Sequence, residues 1–465
     1  MADYSTIRDN IVLVNGRDRP YGRILVVSAY AGITDLLLEH KKTGCPGVYA
    51  LFANADDDVA WEETFYTLQQ RMMEINRELF ADNSLCAVAD SFISGRLEDV
   101  KGCLKDLQRV CGHGFFNLEA HLGTVREMLA SLGEAHSAWN TVQLLRRDGV
   151  NARFVDLTGW KSEEILELDE TISRNLETLD IETELPVAPG YTHCRGGMIS
   201  NFGRGYSEIT FSRIAVLSGA KEAVIHKEYH LSSADPGIVA EARVVPIGRT
   251  NYDVADQLAN LGMEAIHPRA AKGLRQNNIP LRVKNTFEPE HDGTLITKDY
   301  VSGSPCVEII AGRKHVYAVE LFDQEMMGHI QDYDSSMLGL ITRFKAELIC
   351  KDNNANTITH FINSSLKIIK RLSREMEQVW PDAEISIRKV AIVSAIGSDM
   401  KVPGMLAKSV KALASAGISI LAMHQSMRQV DMQFIVDEAD YETAVRCLHK
   451  ELVEVHDHGL AICAA

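Results

Sequence analysis

The last third of the chain runs through one order of elements twice, and that repeat constrains the fold more than any other feature. From Val316 the hydrophobic pattern reads strand (Val316–Phe322), helix (about Ile330–Phe344), strand (Ala346–Cys350), strand (Thr357–Ile362) and helix (Ser365–Val379). From Val390 it reads strand (Val390–Ile396), helix (Pro403–Ala416), strand (Ile418–Met423), strand (Met432–Val436) and helix (Tyr441–Leu448), with a closing strand at Glu454-Val455. Such an order predicts two tandem βαββαβ units, 313–385 and 386–465, alike in topology without obvious sequence identity. The turn-rich Val301-Ser302-Gly303-Ser304-Pro305 separates them from what precedes.

Residues 1–300 have another rhythm. Ile24-Leu25-Val26-Val27-Ser28 is a continuous apolar run ending in a small residue, which suits a strand buried on both faces. Ala29–Asp35 then forms a tight turn into the helical Leu36-Leu37-Leu38-Glu39, a strand–turn–helix unit whose turn faces a ligand. Residues from about 55 to 130 read as helices, with Asp56, Asp57, Asp58, Glu62 and Glu63 as solvent-facing charges at one start. Leu132, Ala135, Trp139, Val142 and Leu145 recur at three- and four-residue steps and predict an amphipathic helix over Leu132–Arg147, with Glu134 off its apolar stripe. Further strands fall at Ala152–Asp156, Leu185–Tyr191, Ala223–His226 and Ile279–Val283. This alternation predicts an α/β fold, a three-layer αβα domain with a mainly parallel sheet.

Composition narrows the function. With 46% hydrophobic and 24% charged residues, the 465-residue chain is that of a globular protein with two to four domains. Its 48 basic and 64 acidic side chains give a net charge of −16, which repels phosphate backbones and argues against nucleic acid as a partner. No apolar run approaches the roughly 18–20 residues of a membrane span, so no membrane is expected as a partner. The N-terminus lacks the basic-then-apolar order of a secretion signal, and nine scattered cysteines form no Cys-x-x-Cys pair. Free thiols in a reducing cytoplasm fit that usage.

Three strings carry candidate chemistry. Gly203-Arg204-Gly205-Tyr206-Ser207-Glu208-Ile209-Thr210 follows a possible strand at Gly197–Ser200 and opens a helix to about Ser218. Its glycines let backbone amides approach an anion, and Ser207 is placed to cap the helix. The plainer alternative is a tight turn with a surface arginine. The string is not a Walker A loop, because no Gly-Lys-Ser/Thr ending follows. Leu231-Ser232-Ser233-Ala234-Asp235-Pro236-Gly237 contains a turn signal in its own right. In Leu261–Pro268 the histidine before proline reads as structural, as do His193-Cys194 and Cys111-Gly112-His113. No nucleophile–base pair and no metal-ligand cluster emerges from spacing; the metal assignment is none.

Together the strings resemble a family. Ser28-Ala29-Tyr30-Ala31-Gly32-Ile33-Thr34, Gly133-Glu134, Gly203–Glu208, Ser232–Pro236 and Ile266-His267-Pro268 occur in the order and approximate spacing of aspartate kinases, and the tandem units resemble that family's ACT domains. His226-Lys227-Glu228 and Gly262–Arg269 resemble the branch that accompanies ectoine biosynthesis. The resemblance implies an amino-acid-kinase fold over 1–300 that transfers the γ-phosphoryl group of ATP, with Mg²⁺, to the β-carboxylate of L-aspartate. It places Ser28, Thr34, Glu134, Arg204 and Ser207 at aspartate, Glu134 facing the ammonium and Arg204 clamping a carboxylate. Arg204 and Glu208 take the catalytic positions. Gly203, Gly205, His226, Lys227, Ser232, Asp235, Pro236, Gly237 and Glu264 fall at the nucleotide.

The sequence also departs from that pattern. The family opens on a strand carrying Lys-x-Gly-Gly-Thr-Ser, a motif missing here, and Tyr4–Asn10 already reads as the helix that follows it. The loop aspartate is Glu208, a Thr-Asp pair is His226-Lys227, the arginine after Asp-Pro is Gly237, and a lysine before the His-Pro turn is Glu264. Fewer positive groups around a polyphosphate predict slow turnover, each preorganised charge being worth about 10²–10³ in rate. The alternative function is a catalytically impaired or non-catalytic amino-acid-binding regulator. In the second repeat, Ser398, Asp399, Met400 and Gly404 lie in a loop at a helix N-terminus, where amides can hold an amino-acid carboxylate. The resemblance implies threonine or lysine as effector, and a homodimer or larger assembly through the ACT units.

Overall fold

The computed structural model describes residues 4–13, 20–41, 43–54, 58–263 and 265–454. The elements begin with α1 (Tyr4–Ile7), β1 (Leu25–Val27), α2 (Ile33–Leu37), α3 (Val48–Ala53), α4 (Asp58–Leu79), α5 (Asn83–Cys111) and α6 (Glu119–Arg147). They continue with β2 (Ala152–Phe154), α7 (Leu168–Leu176), β3 (Leu185–Pro189), α8 (Met198–Phe202), α9 (Tyr206–Leu217), β4 (Ala223–Lys227), β5 (Arg249–Asn251) and α10 (Tyr252–Asn260). Next come α11 (Pro268–Gln276), β6 (Leu281–Asn285), β7 (Thr294–Thr297), β8 (Ile309–Phe322), α12 (Ile330–Arg343), β9 (Glu347–Asn353), β10 (Thr357–Asn363) and α13 (Leu366–Val379). The last are β11 (Glu384–Ile396), α14 (Met405–Ser415), β12 (Ile420–Gln425), β13 (Asp431–Asp437) and α15 (Tyr441–Leu452). No helix among the described residues is long and apolar enough to cross a membrane.

Two compact units result: Met1–Ala223 with Arg269–Ile279 and Thr286–Glu290, and the remaining residues. The first unit is built on a parallel sheet of order β1-β3-β2. Every residue of the central strand β3 is buried, as a strand covered on both faces requires. One face packs Leu25, Val27, Leu185 and Val187 against Ala138, Val142 and Leu145 of α6 and Ala89 of α5. The other packs Val26, Ala188 and Val155 against Ile172 of α7 and Ile214 of α9. These are the three layers expected.

Several local expectations are corrected. The helix read as starting at Leu132 is continuous from Glu119, and it is buried all round from Leu129 to Ala138. A helix wedged between a sheet and other helices has no polar face to show, so its amphipathic stripe understates its burial. Met198–Ser200 is helical rather than extended, with Gly197 as the residue before the helix, because the Glu127 carboxylate accepts the amides of Met198 (2.9 Å), Ile199 (3.1 Å) and Ser200 (2.9 Å). Glu62 is not a lone solvent charge: it pairs with Lys105 at 3.1 Å and Lys101 at 3.5 Å. Asp56 and Asp57 lie outside the described residues.

The second unit holds a four-stranded sheet of order β4-β6-β7-β5, with β5 and β7 parallel and β6 and β7 antiparallel. Strands β5 and β7 escape sequence reading because three and four residues leave no alternation to detect. Both repeats lie in one antiparallel sheet of order β12-β13-β11-β8-β10-β9. Its spine is the pair β8–β11, matched from Ile309↔Ile396 to Phe322↔Glu384. The expected boundary near 385 falls inside β11, whose first half completes one βαββα series while its second half opens the next. Between Arg313↔Ile392 and Val316↔Val390 the strands carry unequal numbers of residues, and His315 takes a left-handed φ of 62°. This bulge reverses the side-chain alternation of β8. Ile310 and Val319 therefore face the same side despite opposite parity, Ile310 towards α14 and α15 and Val319 towards α12 and α13. Glu454 ends in a turn, and Val455 of the expected closing strand lies outside the described residues.

Where the spine meets α15, a Cβ at Gly312 would stand 2.6 Å from the Ile392 carbonyl oxygen and 2.7 Å from the Tyr441 ring. Gly312→Ala is expected to lower the stability of the second unit by about 1–3 kcal/mol through overpacking, measured by urea unfolding. An unchanged midpoint would show that the spine has room to spare.

Candidate functional site

In the first unit Ser28, Thr34, Glu134 and Ser207, expected at the site, are carried by elements at the C-terminal edge of the parallel sheet, where an α/β protein leaves its loops free for ligands. Strand β1 delivers Ser28, which is exposed, and Gly32 at φ 79° starts α2, whose first turn carries Thr34. Helix α6 holds this loop from behind. The Ser137 hydroxyl donates to the Ser28 carbonyl at 2.7 Å. Gly133 provides the room: a Cβ there would meet Ala29 at 3.0 Å, Ile33 at 3.1 Å and Leu37 at 3.2 Å.

One residue on, Glu134 is 2% exposed. Its Oε1 accepts a hydrogen bond of 2.5 Å from the Ser207 hydroxyl, and its Oε2 has no partner. Burial pushes the Glu134 carboxyl up to about 8, against the lowering effects of Ser207 and the Tyr191 backbone. Ser207 therefore does not cap α9, as its sequence position suggested; Gly205 is the capping residue, without a side-chain bond. Ser207 reaches Glu134 because β3 is followed by Gly190, where a Cβ would lie 2.6 Å from that of Ser207.

Beneath the site, His136, Asn140 and Asn76 form a buried polar cluster. Asn76 Oδ1 lies 2.7 Å from both His136 Nε2 and Asn140 Nδ2, while Asn76 Nδ2 donates to Asp90 at 2.7 Å. Burial lowers the His136 imidazole to about 3, so it is neutral and structural. Its ring packs edge-on to Tyr30 with centroids 5.3 Å apart, fixing the β1–α2 loop from below.

The remaining expected residues divide between the units. Gly203, at φ 64°, and Gly205 form a single 3₁₀ turn before α9, and Glu208 is half-buried in the first turn of that helix. The Arg204 side chain and all of Glu264 lie outside the described residues. In the second unit His226 and Lys227 end β4. Ser232 bridges to Pro246 in the following loop, and Asp235 closes its own turn by accepting the Gly237 amide at 2.8 Å, with Pro236 exposed between them. Neighbouring Ser233 points inward to His449 at 2.9 Å and is structural. Among the described residues no group of three carboxylate, imidazole or thiol side chains gathers as a metal site.

In the loop expected to hold an effector, part of the polar capacity is used within the chain. The Ser398 amide and hydroxyl both donate to the buried Glu308 carboxylate, the amide at 2.9 Å. Met400 lies in the core beneath α14 and α15, Asp399 accepts the Lys401 amide at 3.1 Å, and Gly404, at φ 90°, caps α14. A carboxylate is bound at Ser398, and it is the chain's own. Neither Glu308 nor Glu127 carried any signal in the sequence, since each acts on backbone distant along the chain.

The raised Glu134 carboxyl has a consequence for stability. The folded chain keeps a proton that the unfolded chain releases above about pH 4.5, so this group's contribution is full below that pH and is lost as pH rises through about 8. Glu134→Gln should therefore gain stability relative to the parent between pH 5 and 9, by up to a few kcal/mol. Urea midpoints measured across that range check it, and a difference independent of pH would refute it.

Comparison with known proteins agrees with this architecture. A family model for the amino acid kinase family matches residues 4–285, and one for an ACT domain matches 382–450. An aspartate kinase of Stutzerimonas stutzeri, Ask_Ect, is 54% identical over 466 residues, covering 100% of this chain and 98% of that protein. The chloroplastic aspartokinase 3 of Arabidopsis thaliana is 26% identical over 93% of this chain and 76% of its own. The fold matches that of E. coli aspartokinase III in complex with lysine and aspartate, with a TM-score of 0.70 at 18% identity and 93% of each chain covered. With the expected fold in place and relatives of this likeness, the chain belongs to the amino acid kinase family and, within it, to the aspartate kinases.

Proposed function

We propose that this chain phosphorylates the β-carboxylate of L-aspartate with ATP, in the branch of the aspartate pathway that leads towards ectoine. The observation that carries the substrate assignment is the buried Glu134 carboxyl with one oxygen bonded to Ser207 and the other unmatched. A buried carboxylate needs a positive partner, and the α-ammonium of an amino acid supplies one. In this reading Ser28 and Thr34 also bind aspartate, and Arg204 clamps a substrate carboxylate by its bidentate fork.

The reaction then needs alignment more than covalent help. A β-carboxylate oxygen of aspartate attacks the γ-phosphorus, the bond to ADP breaks, and 4-phospho-L-aspartate forms. Gly203 and Gly205 bring backbone amides near the transferring group, Glu208 flanks them, and His226, Lys227, Ser232, Asp235, Pro236, Gly237 and Glu264 serve the nucleotide. Magnesium, bound with the ATP phosphates, would neutralise part of their charge. Residues 1–300 form the catalytic part, and the two βαββαβ units take threonine or lysine as effector and join subunits into a homodimer or larger assembly. The setting is the cytoplasm. The similarity to Ask_Ect over the whole chain favours the enzyme over a non-catalytic regulator.

Hydroxylamine trapping of the acyl phosphate tests the reaction: aspartate with ATP should give a hydroxamate, and its absence from folded protein would overturn the assignment. The site predicts a proton count as well. Glu134 is largely protonated at pH 7 in the free protein and must ionise to face an ammonium, so aspartate binding should release up to one proton. Calorimetry in buffers of different ionisation enthalpy measures this; Glu134→Gln should abolish the release and weaken aspartate binding by about 1.5–3 kcal/mol.

A further inference from the structure

Helix α6 carries a second carboxylate that the reaction does not use. Glu127 precedes Glu134 by seven residues, two helical turns and about 10.5 Å along one face. Its Oε2 accepts from the Tyr191 hydroxyl at 3.0 Å and from the amides of Met198 and Ile199 at 2.9 and 3.1 Å. Its Oε1 accepts from the Ser200 amide at 2.9 Å and the Ser200 hydroxyl at 3.0 Å. Five donors converge on one side chain, and the chain makes space for it: Gly197 has φ 76°, and a Cβ there would stand 2.4 Å from Glu127 Oε1.

These donors belong to the segment 190–207, which leads to Gly203-Arg204-Gly205 and ends at Ser207. Glu127 fixes its middle, at Tyr191 and the start of α8, while Glu134 fixes its end through Ser207. Tyr191 also packs edge-on to Tyr206, the first residue of α9, with ring centroids 5.7 Å apart. One helix thus grips a glycine-bearing segment at two points a fixed distance apart. With the Glu127 charge spent on α8, only the Glu134 end keeps an unmatched oxygen for a ligand.

We propose that Glu127 is a positioning residue for aspartate: it sets the place of the 203–207 loop relative to Glu134 without touching substrate. The inference rests on the aspartate site proposed above. A gauge of this kind acts most on the substrate that Glu134 and Ser207 hold, whereas a structural prop acts on both alike or on the folded fraction.

The test is steady-state kinetics of the full chain with Glu127→Gln, alongside urea unfolding of each variant. The amide keeps the shape but puts a donor where two or three donors already point. The expected result is a KM for aspartate raised tenfold or more, a smaller rise in the KM for ATP through Gly203 and Gly205 of the same loop, and a folded protein. Ser200→Ala and Tyr191→Phe, which each remove one hydroxyl from the carboxylate, should shift the aspartate KM in the same direction by a smaller factor. They decide the matter if Glu127→Gln does not fold. Unchanged aspartate KM in folded variants, or a loss of rate that follows the unfolded fraction with both KM values intact, would overturn the inference. Glu134→Gln is the reference: if it leaves aspartate KM unchanged, the site assignment falls and the inference with it. If Glu134→Gln raises that KM and the Glu127 set does not, the inference alone falls.

Discussion

A carboxyl group in a dry interior is the constraint around which the first unit is arranged. Glu134 is 2% exposed and its Oε2 has no partner, so its charge is stable only when a cation arrives. That placement requires α6 to be covered on all sides at this level, and two glycines make the covering close enough. Gly133 admits Ala29 and Ile33 of the β1–α2 turn, and Gly190 admits Ser207 of α9. The sheet, both loops and α9 thus converge on one carboxyl because every neighbour packs against the same helix.

The second unit depends on a different device. Two strands of 14 and 13 residues pair along their length and carry both repeats on one sheet. A strict alternation along β8 would turn half its apolar side chains away from the helices, so the bulge at Lys314-His315 is needed for α12 to α15 to share a face. The Ser398 loop is tied down in the same economical way, by a buried glutamate of the same chain rather than by solvent.

Much of this was legible in advance. The apolar run at Ile24–Val27 and the repeated order from Val316 onwards are signals of period two and 3.6, which survive in any packing because they arise from the strand and the helix themselves. Motif spacing carried the family. What was illegible has a common cause. Glu134 looked like a polar position outside a stripe, Ser207 looked like a cap, and Gly197–Ser200 looked extended; each judgement used neighbours along the chain.

The sequence by itself determined the three-layer α/β domain, the doubled βαββα order and the strings that place the chain among the aspartate kinases, because local periodicity and motif order are properties of contiguous residues. Tertiary structure alone decided which carboxylates matter and how. Glu134 meets Ser207 across 73 residues, Glu127 meets Ser200 across 73, and Glu308 meets Ser398 across 90. Burial and hydrogen bonding at such separations depend on where whole elements pack, and no window of sequence contains both partners.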